Sequence, residues 1–274
     1  MTTVDLAAPA GRARMSPRRR ARLSRGIQYV VLLVVVAALV AATDWSSVGE
    51  TIFNPTAAAS MLDSLPRAFY NTVRYTLAAF AVGLTFGTVL ALMRLSSVGP
   101  YRWISTAYVE FFRGIPALLV VIAVGYAVPI AFGVALTSIL AVSAIALGAV
   151  SAAYISETVR AGIQAVPRGQ VEAARSLGMS QTRTMMQVVL PQAFRTVLPP
   201  LTNEVLLLTK DTSLLFILGQ TPAFFELTKL GRDALSTASG GLTGLFVIGA
   251  CYLVITIPLG IVARRLERRT GGRA

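Results

Sequence analysis

Six long apolar blocks limit this chain to one kind of fold. They run over residues 27–45, 68–93, 115–131, 136–155, 198–218 and 242–263. A helix needs ~20 apolar residues to cross ~30 Å of hydrocarbon. Inside lipid the backbone has no water to bond, so only helices and closed barrels can span it. Blocks of this length predict helices. The chain is 55% hydrophobic and 14% charged, against about 25% charged in soluble domains. Too few charges are present to wet a globule of 274 residues. The expectation is an all-α membrane protein of six transmembrane helices.

The net charge is +13. In a soluble protein that would point to nucleic acid. Here the basic residues stand beside the blocks, so the positive-inside rule is the better reading, and no nucleic acid is expected. Seven arginines (12, 14, 18, 19, 20, 22 and 25) precede the first block, and five (264, 265, 268, 269 and 273) follow the last. Arg94, Arg102 and Arg113 lie between the second and third blocks, and Arg160, Arg168, Arg175, Arg183 and Arg195 between the fourth and fifth. If six helices alternate, all these groups fall on one side. That side is read as cytoplasmic, with both termini in it.

Four stretches follow. Residues 1–26 form a basic cytoplasmic tail, disordered until it meets lipid headgroups. Residues 27–67 hold the first helix and an outer loop, residues 68–265 the core with a polar segment at 160–195, and residues 266–274 a second basic tail. A basic run before an apolar one is also the layout of a secretory signal. This apolar run is longer than the usual signal, and Tyr29 and Trp45 bracket it like interface anchors, which favours a retained span. In the second block Gly83 and Gly87 stand four apart, a spacing that lets helices approach closely. Gly114-Ile115-Pro116 opens the third block, and Pro129 with Gly133 is expected to end it.

Chemistry is sparse. The chain has no histidine, which removes the commonest general base and metal ligand. Cys251 is a lone apolar filler. No catalytic residue, metal site or cofactor is expected. Its two lysines, Lys210 and Lys229, are followed by Asp211 and Leu230, so a phosphate-cradling lysine followed by Ser or Thr is missing.

Two segments stand out. One is polar: Glu172, Ala173, Ala174, Leu177 and Gly178, closed by Pro191. Pro167 is suited to start a helix, with Val171, Ala174 and Leu177 on one face. Gly178 is suited to end it in the left-handed conformation. Ser180 caps a second helix, 181–190, which Pro191 stops. The other segment lies in the fifth block: Asn203, Glu204, Lys210, Asp211, Thr212 and Ser213. Ionisable residues at bilayer depth mark paths or buried pairs. Asn203 and Lys210 are seven apart and share a face; Glu204 and Asp211 share another. These six are candidates for lining a substrate path, against the plainer reading of polar ties between helices.

The run Glu172-Ala173-Ala174, three residues, Gly178, nine residues, Val188, one residue, Leu190-Pro191 resembles the EAA loop of ABC-transporter membrane subunits, with Val188 where isoleucine is usual. Arg113-Gly114-Ile115-Pro116, Glu157 with Arg160-Ala161-Gly162-Ile163, Pro167-Arg168-Gly169-Gln170 and Lys210-Asp211-Thr212-Ser213-Leu214 resemble the polar amino acid permeases of that family. The likeness covers roughly residues 68–265; the first helix is an addition to a five-helix core. The resemblance implies a type I importer fold in a prokaryotic inner membrane. It implies ABC ATPase subunits docking at the EAA-like loop, with ATP and magnesium held there. It further implies a second permease subunit, an extracytoplasmic solute-binding protein, and lipid around the helices. Glutamate or glutamine is the favoured substrate. An ion-gradient-driven transporter or channel without an ATPase is the competing class; inverted repeats would favour it, and none is evident.

If the polar segment couples transport to a foreign ATPase, Glu172→Lys and Gly178→Val should leave ATP hydrolysis running while uptake is largely lost. Proteoliposomes with the assembled complex measure both. Normal uptake by both variants would sink the assignment.

Overall fold

The structure, a computed structural model, describes residues 17–134, 138–236 and 241–271. Leu136, the expected start of the fourth block, and residues 1–16 of the basic tail lie outside the described residues. The chain divides into two compact units, residues 1–50 and 51–274. The division falls inside the stretch 27–67 that was expected to hold the extra helix and outer loop.

In the first unit, α1 runs Pro17–Ala42. Residues 17–26 are therefore helical, and the reading of the tail as disordered fails for them. These residues run directly into the apolar helix and form its first turns. From Ile27 to Ala42 nearly every residue is apolar and exposed, as suits a helix facing lipid all round. Asp44 follows. Its carboxylate accepts from the Ser46 hydroxyl (2.6 Å) and the Ser47 hydroxyl (2.7 Å). These bonds, with those from the backbone of the same serines, pull its pKa down to about 2. They set the start of α2 (Trp45–Ile52).

In the second unit, α3 (Pro55–Met61) is capped by Asn54, whose Oδ1 accepts from Thr56 N and Ala57 N. α4 (Leu65–Leu95) begins with Pro66 in its first turn, where the missing N–H costs no intrahelical bond. α5 (Gly99–Gly114) is an additional helix in what reads as a loop by sequence. α6 (Ala117–Ile122), a π-turn over Ala123–Ala127 and α7 (Val128–Phe132) form one stretch, bent by 104° from α5. α8 is Ile139–Gln164, α9 Arg168–Ser176 and α10 Gln181–Thr184. A second π-turn, Met185–Val189, leads into α11 (Leu190–Asp211) and a 3-10 turn, Thr212–Ile217. After the short 3-10 turn Pro222–Phe224 come α12 (Leu227–Ala234) and α13 (Thr243–Gly271).

Among the described residues, four helical stretches are long and apolar enough to cross a membrane: Arg22–Ala42, α4, α8 and Thr243–Arg268. The bent pair α5 with Ala117–Phe132 makes a fifth candidate. The expected count of six is not reached by length and composition. The missing block, 198–218, is occupied by α11 and its 3-10 turn, and Glu204, Lys210 and Asp211 dilute its apolar run.

Two proline expectations are also corrected. Pro191 does not stop a helix and Pro129 does not end one. Each comes one residue after the bond that closes a π-turn, Leu190 N to Met185 O and Val128 N to Ala123 O. The widened turn absorbs both the missing donor and the ring, so the helix continues. Gly133, at φ +64°, ends the stretch instead.

α4 and α8 form the most extensive helix pair. A Cβ on Gly87 would stand 2.8 Å from the Ala152 carbonyl and 2.9 Å from Ile155 Cβ, and one on Gly148 2.9 Å from Val82 Cγ1. Only hydrogen fits there. Tyr75, Val121, Val142, Leu147, Leu208 and Leu215 fill the main core between α4, α8 and α11. Met61, Ala68, Leu227, Leu230 and Ile248 fill a second.

The segment 222–227 is fastened to α4. Asn71 Nδ2 donates to the Ala223 and Phe225 carbonyls, the Tyr75 hydroxyl donates to the Phe224 carbonyl, and Leu227 N donates to Thr72 Oγ1. Glu226 is 0% exposed and caps α12, accepting from Thr228 N and from Lys229 N at 2.7 Å. Burial pushes its pKa up to about 7, against those two bonds and the Thr228 and Tyr252 hydroxyls.

Gly87→Val should lower the thermal midpoint in detergent, by roughly 1–3 kcal/mol of overpacking. Gly249→Ala, with nothing within 4 Å, should match wild type; equal midpoints for both would be the contrary result. Glu226 adds a pH signature. Below its ordinary value of 4.5 the carboxyl is protonated whether the chain is folded or not. From there to about 7 the unfolded chain releases the proton while the folded chain keeps it. Stability therefore falls as pH rises through that window, by at most about 3 kcal/mol. The midpoint of wild type should drop relative to Glu226→Gln across it, and a constant gap would contradict the assignment.

Candidate functional site

A cavity of about 460 Å³ opens where three elements meet. α5 supplies Arg113 from its last turn, α8 supplies Ser151 and Tyr154, and α11 supplies Glu204 and Asp211. The bend at Gly114-Ile115-Pro116 delivers the cation. Pro116 holds an extended backbone (φ −59°, ψ 131°) and starts α6 in a new direction, leaving Arg113 at the corner. Leu147, Val150, Leu207 and Leu208 line the remainder.

Glu204 and Asp211 are two turns apart on α11 and share the cavity wall, as their spacing predicts. Neither carboxylate has a cation within 4 Å among the described residues. Arg113 makes no hydrogen bond in the described structure. Its guanidinium carbon lies 5.8 Å from the Tyr154 ring centroid, a cation–π contact. An arginine and two carboxylates around one partly apolar space can hold a molecule that carries both a negative and a positive end.

The other four residues of the α11 set lie elsewhere. Asn203 and Lys210 are exposed and do not line the cavity. Thr212 is buried and donates to the Thr209 carbonyl at 2.7 Å. Ser213 is half-buried and outside the lining. Ser151, Tyr154 and the cavity role of Arg113 escaped the sequence reading. The break after Arg113 was visible, but its angle was not.

Beside the cavity, one carboxylate gathers three guanidiniums. Glu157 Oε2 accepts from Arg160 Nη2 (2.7 Å) and Nε (3.1 Å). Its Oε1 accepts from Arg94 and lies 3.8 Å from Arg113 Nη1. The ends of α4 and α5 are thereby tied to α8.

The polar segment forms the expected helix, glycine break and second helix. Gly178 takes φ +82°. Met179 N bonds to the Ala174 carbonyl and Gly178 N to the Arg175 carbonyl, the paired bonds of a Schellman ending. Ser180 Oγ accepts from Arg183 N and caps α10. The expected common face of Val171, Ala174 and Leu177 stops short. Ala174 is buried and Val171 packs on Ile163, Val166, Val189 and Ala193. Leu177 is 84% exposed: its N–H still bonds the Ala173 carbonyl, and two three-residue steps turn its side chain about 120° away from Val171. Glu172 and Ala173 are exposed beside it.

Comparison with known proteins identifies the family. Residues 83–272 match the family described as "Binding-protein-dependent transport system inner membrane component". The probable glutamine ABC transporter permease protein GlnM of Bacillus subtilis is 37% identical over 202 residues, 73% of this chain and 90% of that protein. The glutamate/aspartate import permease protein GltK of Escherichia coli O157:H7 is 35% identical over 234 residues, 83% of this chain and 98% of that protein. The crystal structure of an amino acid ABC transporter with histidines superposes with a TM-score of 0.69 at 32% identity, covering 77% of this chain and 97% of that one. The all-α architecture, the bent helices and the EAA-like loop thus have one common explanation: this chain belongs to the family of inner-membrane components of binding-protein-dependent transport systems, as an ABC-transporter permease.

Proposed function

We propose that the chain is the permease subunit of an ATP-driven importer for a polar amino acid, with glutamine or glutamate as the favoured cargo. The cavity carries this reading. Arg113 suits an α-carboxylate, Glu204 and Asp211 suit an α-ammonium, and the leucine and valine wall leaves room for a short side chain. The glutamine and glutamate/aspartate relatives support the choice of class. A second permease subunit, identical or related, completes the path. An external solute-binding protein delivers the cargo, and both termini of this chain are cytoplasmic.

The energy comes from partner ATPase subunits, which hold ATP and magnesium. They meet this chain at Glu172, Ala173 and Leu177, which stand exposed around the Gly178 break.

Substrate-stimulated ATP hydrolysis by the purified complex, across a panel of amino acids, tests the class. Stimulation by a polar amino acid supports it, and stimulation by none refutes it. With the best substrate, Glu204→Gln and Asp211→Asn should each raise the half-maximal concentration by about 10- to 100-fold, the range for losing a hydrogen bond to a charged group. Lys210→Ala, outside the cavity, should change it less. If both acid variants behave as wild type, the cavity is not the cargo site.

A further inference from the structure

Arg113 is the most loosely held of the three guanidiniums around Glu157. Arg160 grips Oε2 with two donors, and Arg94 bonds Oε1. Arg113 reaches only the already occupied Oε1, at 3.8 Å, beyond hydrogen-bond length. Its side chain is also the most open, 44% exposed against 17% for Arg94 and 29% for Arg160. One negative charge faces three positive ones, so the cluster carries an excess of two. That excess is least quenched at Arg113, the arginine on the cavity wall.

We propose that Glu157 is a positioning residue for the cargo site. It holds Arg113 loosely through the oxygen that it shares with Arg94, and an incoming carboxylate takes Arg113 over. The inference rests on the cavity being the cargo site. Glu157 competes with the cargo for one guanidinium, while Arg94 competes with Arg113 for one oxygen. Arg94 therefore tunes the hold from the far side. The two residues affect cargo affinity with opposite signs. Removing the Glu157 charge frees Arg113 and tightens binding. Removing Arg94 leaves Oε1 to Arg113 alone and weakens binding.

The test uses the complete permease–ATPase complex in lipid nanodiscs, without solute-binding protein, and calorimetric titration with L-glutamine, L-glutamate and L-arginine, which share the α-carboxylate. Glu157→Gln should tighten binding by about two- to fivefold, the worth of a partly exposed ion pair. Arg94→Gln should weaken it by a similar factor. Both shifts should vanish in an Arg113→Gln background and for L-glutaminamide, which lacks the carboxylate. A purely structural cluster would move both variants in the same direction, and that result, or no shift, overturns the proposal. If Glu157→Gln does not assemble, Arg94→Gln decides alone: weaker binding upholds the proposal, and unchanged or tighter binding overturns it. Glu204→Gln separates the two levels. If it weakens binding and the opposed shifts are missing, only the role of Glu157 falls. If neither it nor Asp211→Asn changes binding, the cavity reading falls and this proposal with it.

Discussion

The approach of α4 to α8 through Gly83, Gly87 and Gly148 fixes the frame for the other elements. In lipid, helix association gains little from the hydrophobic effect and depends on close packing and interhelical hydrogen bonds. Hydrogen in place of a side chain at these positions lets two backbones meet. Everything functional then hangs from that pair. α8 carries Ser151, Tyr154 and Glu157 toward the cavity side, and α4 brings Arg94 to Glu157. On α4, Asn71, Thr72 and Tyr75 fasten the segment that includes the Glu226 cap.

Polar groups in this frame are largely satisfied locally. Thr72, Thr76, Thr85 and Thr88 each donate to the carbonyl four residues back on α4. Where helices meet, side-chain donors take backbone carbonyls, as Ser105 does with Leu90 and Tyr108 with Ala149. Against that background the cavity is conspicuous. It gathers Arg113, Glu204 and Asp211 with no ion pair as short as those within the Glu157 cluster. Groups left in that condition are available to something else.

Much of this was legible from residue order. Apolar runs near twenty residues have few alternatives to helix, so α4 was found within three residues at each end, while α8 and α13 run on nine and eight residues beyond the apolar blocks 136–155 and 242–263. The seven-residue step from Glu204 to Asp211 placed both on one wall. Gly178 read correctly because a left-handed helix ending nearly demands it. The failures share a cause. Pro129 and Pro191 were taken as stops because a proline in an ordinary turn loses a bond and collides with the preceding turn. Whether a π-turn relieves it depends on the surrounding packing. Leu177 was placed on the face of Val171 and Ala174, although two three-residue steps turn it away from them. The 104° corner after α5 has no signature in hydropathy, which records depth and not direction. Arg113 reaches the cavity only through that corner, so it was seen as part of a motif and missed as part of a site.

The π-turn at Met185–Val189 has a mechanical consequence. By letting Pro191 pass, it joins α10 to α11 in one continuous helical rod from Gln181 to Asp211, with Pro199 and Pro200 inside it. At ~1.5 Å per residue its contour is roughly 45 Å. One end begins three residues after the Gly178 break; the other carries Glu204 and Asp211. A tilt of about 10° around the middle of such a rod swings each tip by roughly 4 Å, more than the length of a hydrogen bond. A push at one end therefore needs no relay of side chains to pry open the wall at the other.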